Sequence, residues 1–184
     1  MQKIGSFLGE ILQVVVFAIS IFLFVYLLVF QPHKIKGESM EPNFQDGEYL
    51  LTDKVSYRLG DPNRGDVIVF RAPPAFTDEF IKRVIGLPGE TVKIEDNKIY
   101  INGQVLDESY IPENFRTRAN QFAQEGKEIT VAPDTYFVVG DNRDHSLDSR
   151  VFGLVERQYI TGRAWLIYWP VNKAGVIEAP NYLF

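Results

Sequence analysis

Two residue types and one loop in this chain have the character and spacing that covalent chemistry needs. Ser39 lies in the segment Gly37-Glu38-Ser39-Met40-Glu41-Pro42, a glycine-containing turn. A hydroxyl there is either a solvated turn serine or a nucleophile, and a serine is a weak nucleophile until a base removes its proton. Lys82 lies in Phe80-Ile81-Lys82-Arg83-Val84-Ile85-Gly86-Leu87-Pro88-Gly89. Strand alternation puts Phe80, Lys82 and Val84 on one face. The amine is then either held among apolar neighbours or snorkelled into water on its own stem. The third segment runs from Gly140 to Arg150, where nine of eleven residues are polar or charged. Such density points to a hydrogen-bonded loop, and its aspartate spacing does not follow the calcium-binding EF-hand pattern.

Composition removes several competing chemistries. There are no cysteines, so neither a thiolate nucleophile nor a disulfide is available. Two histidines, His33 and His145, are too few for a histidine-rich zinc site, so no metal is expected. The net charge of -5, with both signs mixed along the chain, gives no basic footprint for nucleic acid.

The elements that must position these residues begin with a membrane helix. Residues 11–30, ILQVVVFAISIFLFVYLLVF, carry no charge, and about 20 such residues at 1.5 Å rise span the ~30 Å hydrocarbon core of a bilayer. A cleaved secretory signal has a shorter apolar core and a small-x-small site. Here Gln31-Pro32-His33-Lys34 follows instead. Flanking charges give no clear vote on orientation. Residues 1–10 are therefore expected to form a short tail, 11–30 a transmembrane helix, and 31–184 one soluble domain. In that domain short apolar or alternating runs, Val67–Phe70, Phe80–Ile85, Thr91–Ile94, Lys98–Ile101, Tyr136–Val139 and Ala164–Trp169, read as strands. Asp96-Asn97, Asn102-Gly103 and Pro88-Gly89 supply turns. The fold class is mainly β and antiparallel, with a polar loop excursion around residues 107–128.

In order along nearly the whole chain stand an apolar anchor, GESMEP, RGDVIVF, KRVIGLPGE and GDNRDHSLDSRVFG. This series resembles the type I signal peptidases, in their short single-anchor form. The resemblance implies a signal peptidase-like Ser/Lys protease fold that removes signal peptides from secretory preproteins at the surface of a lipid bilayer, with no cofactor. It implies Ser39 as nucleophile, Lys82 as general base, and Ser146 as the serine that hydrogen-bonds the lysine amine. Asp141, Asp148 and Arg150 fall on the charged framework, with Arg83 expected to pair with Asp141. Ile35, Met40, Phe44, Phe80 and Ile81 fall near shallow pockets for small side chains. The family's larger enzymes carry a serine two places before the nucleophile that serves the oxyanion hole, where this chain has Gly37. The hole then rests on the backbone N–H of Ser39. The resemblance also implies a single-pass protein whose catalytic domain faces the extracytoplasmic side of a plasma or thylakoid membrane.

A lysine base must be neutral, and at a reference pKa of ~10.4 only a fraction on the order of 10⁻³ is neutral at pH 7. Burial among apolar side chains supplies the needed depression. A self-cleaving Ser/Lys repressor-type protease would share the chemistry but not the bilayer span. A non-enzymatic, membrane-tethered β domain would share the span but has no use for both Ser39 and Lys82.

Overall fold

The uncharged stretch folds as a helix that begins earlier and ends slightly sooner than composition alone indicates. In the computed structural model, which describes residues 2–180 and 182 with side chains from residue 7 onward, α1 runs over Gln2–Val29. No proline interrupts residues 2–10, so the helix continues back through them. Its part Phe7–Val29 is 23 residues long and apolar enough to cross a membrane, about 34 Å at 1.5 Å per residue. The large apolar side chains of this part are exposed along its length. Phe30 leaves the helix because it is already paired with Asp53 in the first strand and stacked on Trp165, with ring centroids 5.0 Å apart. Lys54 receives the helix end: its backbone N–H donates to the Val29 carbonyl at 2.9 Å and its Nζ to the Leu27 carbonyl at 3.2 Å. Both satisfy carbonyls that a helix C-terminus leaves open.

Twelve strands follow among the described residues: β1 (Phe30–Lys34), β2 (Tyr49–Asp53), β3 (Val67–Arg71), β4 (Glu79–Gly86), β5 (Thr91–Glu95), β6 (Lys98–Ile101), β7 (Gln104–Val105), β8 (Glu128–Thr130), β9 (Thr135–Val139), β10 (Val155–Glu156), β11 (Ile160–Trp169) and β12 (Gly175–Val176). They form two sheets, every pairing antiparallel. The larger has the order β1-β2-β11-β3-β4-β9-β10, with β12 on β11, and the smaller the order β7-β6-β5-β8. The turn residues act as their types dictate. Asp96 and Asn97 both take positive φ between β5 and β6, as do Asn102 and Gly103 between β6 and β7, the geometry of tight hairpins.

Three apolar clusters hold the sheets. Ile85, Val92, Ile94, Ile99, Val131 and Phe137 join the small sheet to the large one. Ile68, Phe70, Val84, Tyr136 and Val138 fill one side of the large sheet. Ile35, Met40, Phe44, Leu50, Val67 and Val69 form the third cluster, beneath the Ser39 turn. Residues 107–127 are irregular and packed down: Ala123 is buried in the first cluster, and the Phe122 N–H donates to the Arg150 carbonyl at 2.9 Å.

Candidate active site

The Ser39 turn is built from the chain that continues β1. Ile35 remains tied to Glu48 and Gly47 by backbone hydrogen bonds of 2.8 and 3.0 Å. Gly37 then takes φ +85° and donates its N–H to Asp46 Oδ1 at 2.7 Å, a left-handed conformation that glycine adopts at little cost. A tight turn follows, closed by Glu41 N–H to Glu38 O and Phe44 N–H to Met40 O, both 3.0 Å. Met40 and Phe44 are driven into the core below, which fixes the turn and lifts Ser39 between them and the groove. The Ser39 carbonyl accepts from the Asn142 N–H at 3.1 Å, while its own N–H has no partner among the described residues.

β4 brings Lys82 to this serine across 43 residues of sequence. Lys82 pairs with Ile68 of β3, and its side chain is 3% exposed. Nζ lies 2.7 Å from Ser39 Oγ and 2.8 Å from the Ile81 carbonyl, which accepts from it. It also stands 5.4 Å from the centroid of the Phe80 ring. Desolvation lowers the Lys82 amine from 10.5 to about 8; Asp148 and Asp141 pull it back up, and Arg150 lowers it further. An amine so placed donates to Ser39 Oγ when charged and can accept the hydroxyl proton when neutral.

The polar loop after β9 supplies the frame. Arg83, on the opposite face of β4 from Lys82, holds Asp141 with Nε to Oδ1 at 2.8 Å and Nη2 to Oδ2 at 2.6 Å. Arg150 holds Asp148 in the same two-pronged way, both contacts 2.8 Å. Asp148 also caps the short helix α2 (Ser149–Phe152) and accepts from the Gly140 N–H at 3.0 Å. All four side chains are buried, so each charge needs its partner. Pairing keeps both carboxylates from bonding directly to the lysine amine, which would hold its proton still more firmly beside an unpaired carboxylate.

Ser146 behaves differently from the expectation. Its Oγ is buried without a hydrogen-bond partner among the described residues, and the Lys82 amine turns to the Ile81 carbonyl instead. The hydroxyl is wedged against Gly140, where a Cβ would sit 2.2 Å from Ser146 Oγ and 2.4 Å from the Ser39 carbonyl oxygen. Of the five residues expected at pockets, Ile35, Phe80 and Ile81 line a groove of about 870 Å³ that contains Ser39 and Lys82. Met40 and Phe44 do not, because the turn needs them in the core.

Several site residues escaped the sequence reading. Asn43 donates from Nδ2 to Asp141 Oδ2 at 2.8 Å and to the Tyr110 carbonyl at 2.9 Å. Arg143 reaches Glu108 and the Tyr110 hydroxyl of the 107–128 excursion, tying that segment to the loop. His33 is half-buried on the groove wall between Thr52 and Glu79. Its strand position opposite Leu50 was the available signal, but β1 itself was not recognised.

Sequence comparison gives a match to the family described as "Signal peptidase, peptidase S26" over residues 8–169. The "Probable signal peptidase I-2" of Synechocystis sp. is 39% identical over 91% of this chain and 76% of its own. The "Signal peptidase I" of Leptolyngbya laminosa is 38% identical over 97% of this chain and 88% of its own. A solved signal peptidase I from Enterococcus faecalis is 37% identical, with a TM-score of 0.47 over 56% of this chain and 97% of that one.

Proposed function

This chain belongs to the signal peptidase family, peptidase S26, and from that premise we propose that Ser39 is its nucleophile, Lys82 its general base and residues 31–184 its catalytic domain. It is a membrane-associated serine protease that removes signal peptides. The observation that carries the assignment of the dyad is the 2.7 Å approach of Ser39 Oγ to a buried amine that titrates near 8. At pH 7 roughly a tenth of such an amine is neutral, a few hundredfold more than at its ordinary 10.5.

In this reading Ser39 Oγ attacks the carbonyl carbon as its proton passes to the neutral Lys82 amine. The Ser39 N–H is one donor to the oxyanion that forms. The Lys82 ammonium then protonates the leaving amine as the C–N bond breaks, leaving an ester on Ser39. Lys82, neutral again, takes a proton from water as the water attacks the ester, and returns it to Ser39 Oγ when the carboxylate leaves. The residues present need no cofactor for these steps. Asp141, Asp148, Arg83 and Arg150 hold the frame and touch no reacting atom.

Ile35, Phe80 and Ile81 on the groove wall support small side chains at the positions one and three before the scissile bond. The substrates are secretory preproteins. The helix spans the bilayer once, with the short N-terminus in the cytoplasm or stroma and the catalytic domain on the export side of a plasma or thylakoid membrane. The direct run of α1 into β1, whose Gln31, Pro32 and His33 line the groove, supports a site at the membrane surface.

The test is cleavage of a radiolabelled preprotein by the full chain in detergent, beside Ser39→Ala, Lys82→Ala and the double variant. Each single change abolishes cleavage and the double is scarcely worse, because the two groups act as a unit. A Lys82→Ala enzyme keeping more than about a tenth of wild-type kcat, a cost below ~1.4 kcal/mol, is incompatible with Lys82 as base.

A further inference from the structure

The groove does not end at the dyad. β9 pairs with β4 only from Arg83 onward, so Glu79 to Lys82 have β3 on one side and an open edge on the other. Among the described residues β1 pairs only with β2. These two open edges bound the groove, and a hydrogen bond crosses between them at its far end: His33 Nε2 lies 2.8 Å from Glu79 Oε2. Glu79 is three residues from Lys82, about 10 Å along an extended strand.

We propose that Glu79, with His33 and Asp78, forms a specificity subsite that takes the substrate side chain four residues before the scissile bond, beyond the small side chain at the third position, favouring a basic or hydrogen-bond-donating side chain there over an acidic one.

The proposal rests on the peptidase reading above and adds to it a position and a chemistry. Direction comes from the geometry of the chain. Substrate residues before the cut connect to an apolar segment in the bilayer, and the end of the groove with Gln31, Pro32 and His33 adjoins the end of α1 at Val29. The residues before the cut therefore run from the dyad toward Glu79.

The chemistry comes from how the carboxylate is held. Glu79 Oε1 accepts from Thr161 Oγ1 at 2.8 Å, and Oε2 faces His33. His33 Nδ1 lies 2.8 Å from Thr52 Oγ1. The Glu79 carboxylate accepts from His33 Nε2–H, and Gln31 Nε2 lies 3.1 Å from the same ring nitrogen. The carboxylate is thus fixed by donors from β1 and β11, is 30% exposed, and retains lone pairs for a further donor. Asp78 lines the same end of the groove, and its carboxylate has no hydrogen bond or ion pair among the described residues. The cations of the opposite wall do not offset this pair. Lys34 rests on the Tyr49 ring, 5.7 Å from its centroid, and Lys36 stands at the dyad end, next to Gly37. An acidic side chain at this end meets two carboxylates, and a basic one meets complementary charge.

The test uses one preprotein with alanine at the positions two to five before the scissile bond, and versions with lysine or aspartate placed singly at each. The full chain in detergent is assayed for kcat/KM, and the lysine-to-aspartate ratio is read within each enzyme variant, so the folded fraction cancels. Wild type is expected to prefer lysine at the fourth position by about fivefold or more, the scale of a partly exposed ion pair at each end of the comparison. Glu79→Gln with Asp78→Asn brings the ratio close to one, and Glu79→Lys inverts it. A ratio near one at all four positions in an active wild-type enzyme overturns the subsite, as does a preference that both variants leave intact. Absence of any Ser39-dependent cleavage of the alanine preprotein overturns the peptidase reading and the subsite with it.

Discussion

Replacing Lys82 by methionine separates what the buried amine does for catalysis from what it costs the fold. The amine titrates at about 8 in the folded protein against an ordinary 10.5. Below pH 8 both folded and unfolded chains carry the ammonium, and only the folded one carries it desolvated, a penalty of about 3 kcal/mol. Between about 8 and 10.5 the folded chain has released the proton and the unfolded chain has kept it, so stability climbs with pH. Above that range the penalty is gone. Methionine fills a similar apolar volume without charge, but it forfeits the contacts to Ser39 Oγ and the Ile81 carbonyl, worth about 1 kcal/mol each. The Lys82→Met protein is therefore expected to be inactive yet about 1–2 kcal/mol more stable than wild type at pH 7, and less stable by a similar amount near pH 10.5. Denaturant unfolding in non-ionic detergent, followed by the fluorescence of Trp165 and Trp169 at both pH values, measures this. Taking the difference between the two proteins cancels the tyrosines, which titrate in both. A methionine variant less stable than wild type by the same amount at both pH values would refute a desolvated amine.

Replacing both His33 and His145 by glutamine should leave the acidic limb of kcat/KM with its midpoint near 8, the position of the Lys82 amine, whatever the height of the profile. A limb that disappears in that variant transfers the base role to a histidine. Gly140→Ala should lower kcat by about tenfold or more, since its Cβ would sit 2.2 Å from Ser146 Oγ and 2.4 Å from the Ser39 carbonyl and displacement of the nucleophile is costly. Full activity in that variant contradicts the close packing. Asp148→Ala strands the buried Arg150 guanidinium and should cost roughly 3–5 kcal/mol in denaturant unfolding. A loss below about 1 kcal/mol means that solvent reaches the guanidinium and the frame is looser than its hydrogen bonds indicate.

The strands that could be read from sequence are those whose side chains obey a simple pattern. β5 and β6 alternate and are separated by Asp96-Asn97, whose residue types demand the positive φ they adopt. β1 has no such pattern. It contains Pro32, tolerated because the strand lies at a sheet edge, and its polar residues face the groove, so it reads as loop. The same strand carries His33, and missing one meant missing the other. Alternation did place Lys82 beside Phe80 and Arg83 on the opposite face, as the 5.4 Å ring contact and the Arg83–Asp141 pair show. That Ser39 meets Lys82 across 43 residues is a property of the sheet order, in which β2, β11 and β3 stand between β1 and β4. Spacing along the chain does not encode it. Met40 and Phe44 illustrate a different limit: an apolar residue near a nucleophile can line the groove or anchor the turn, and only packing decides between them.

The charged loop and the lysine impose opposite demands on one another. Asp141 must be close to the serine turn, since Asn43 anchors that turn to its carboxylate, and Asp148 must be close to Gly140, whose N–H it holds. Both aspartates raise the affinity of Lys82 for its proton, which works against a neutral base. Apolar replacements would relieve the lysine but would leave the turn and Gly140 without acceptors. Arginines resolve the conflict. Arg83 and Arg150 occupy both oxygens of their aspartates, and the charge of Arg150 also acts on Lys82 in the same direction as burial. Desolvation remains the largest influence and sets the sign of the shift. The buried ion pairs therefore serve chiefly as anchors whose proton-holding field at the amine Arg150 offsets in part and desolvation outweighs, and this explains how a site dense in carboxylates can keep its lysine ready to lose a proton.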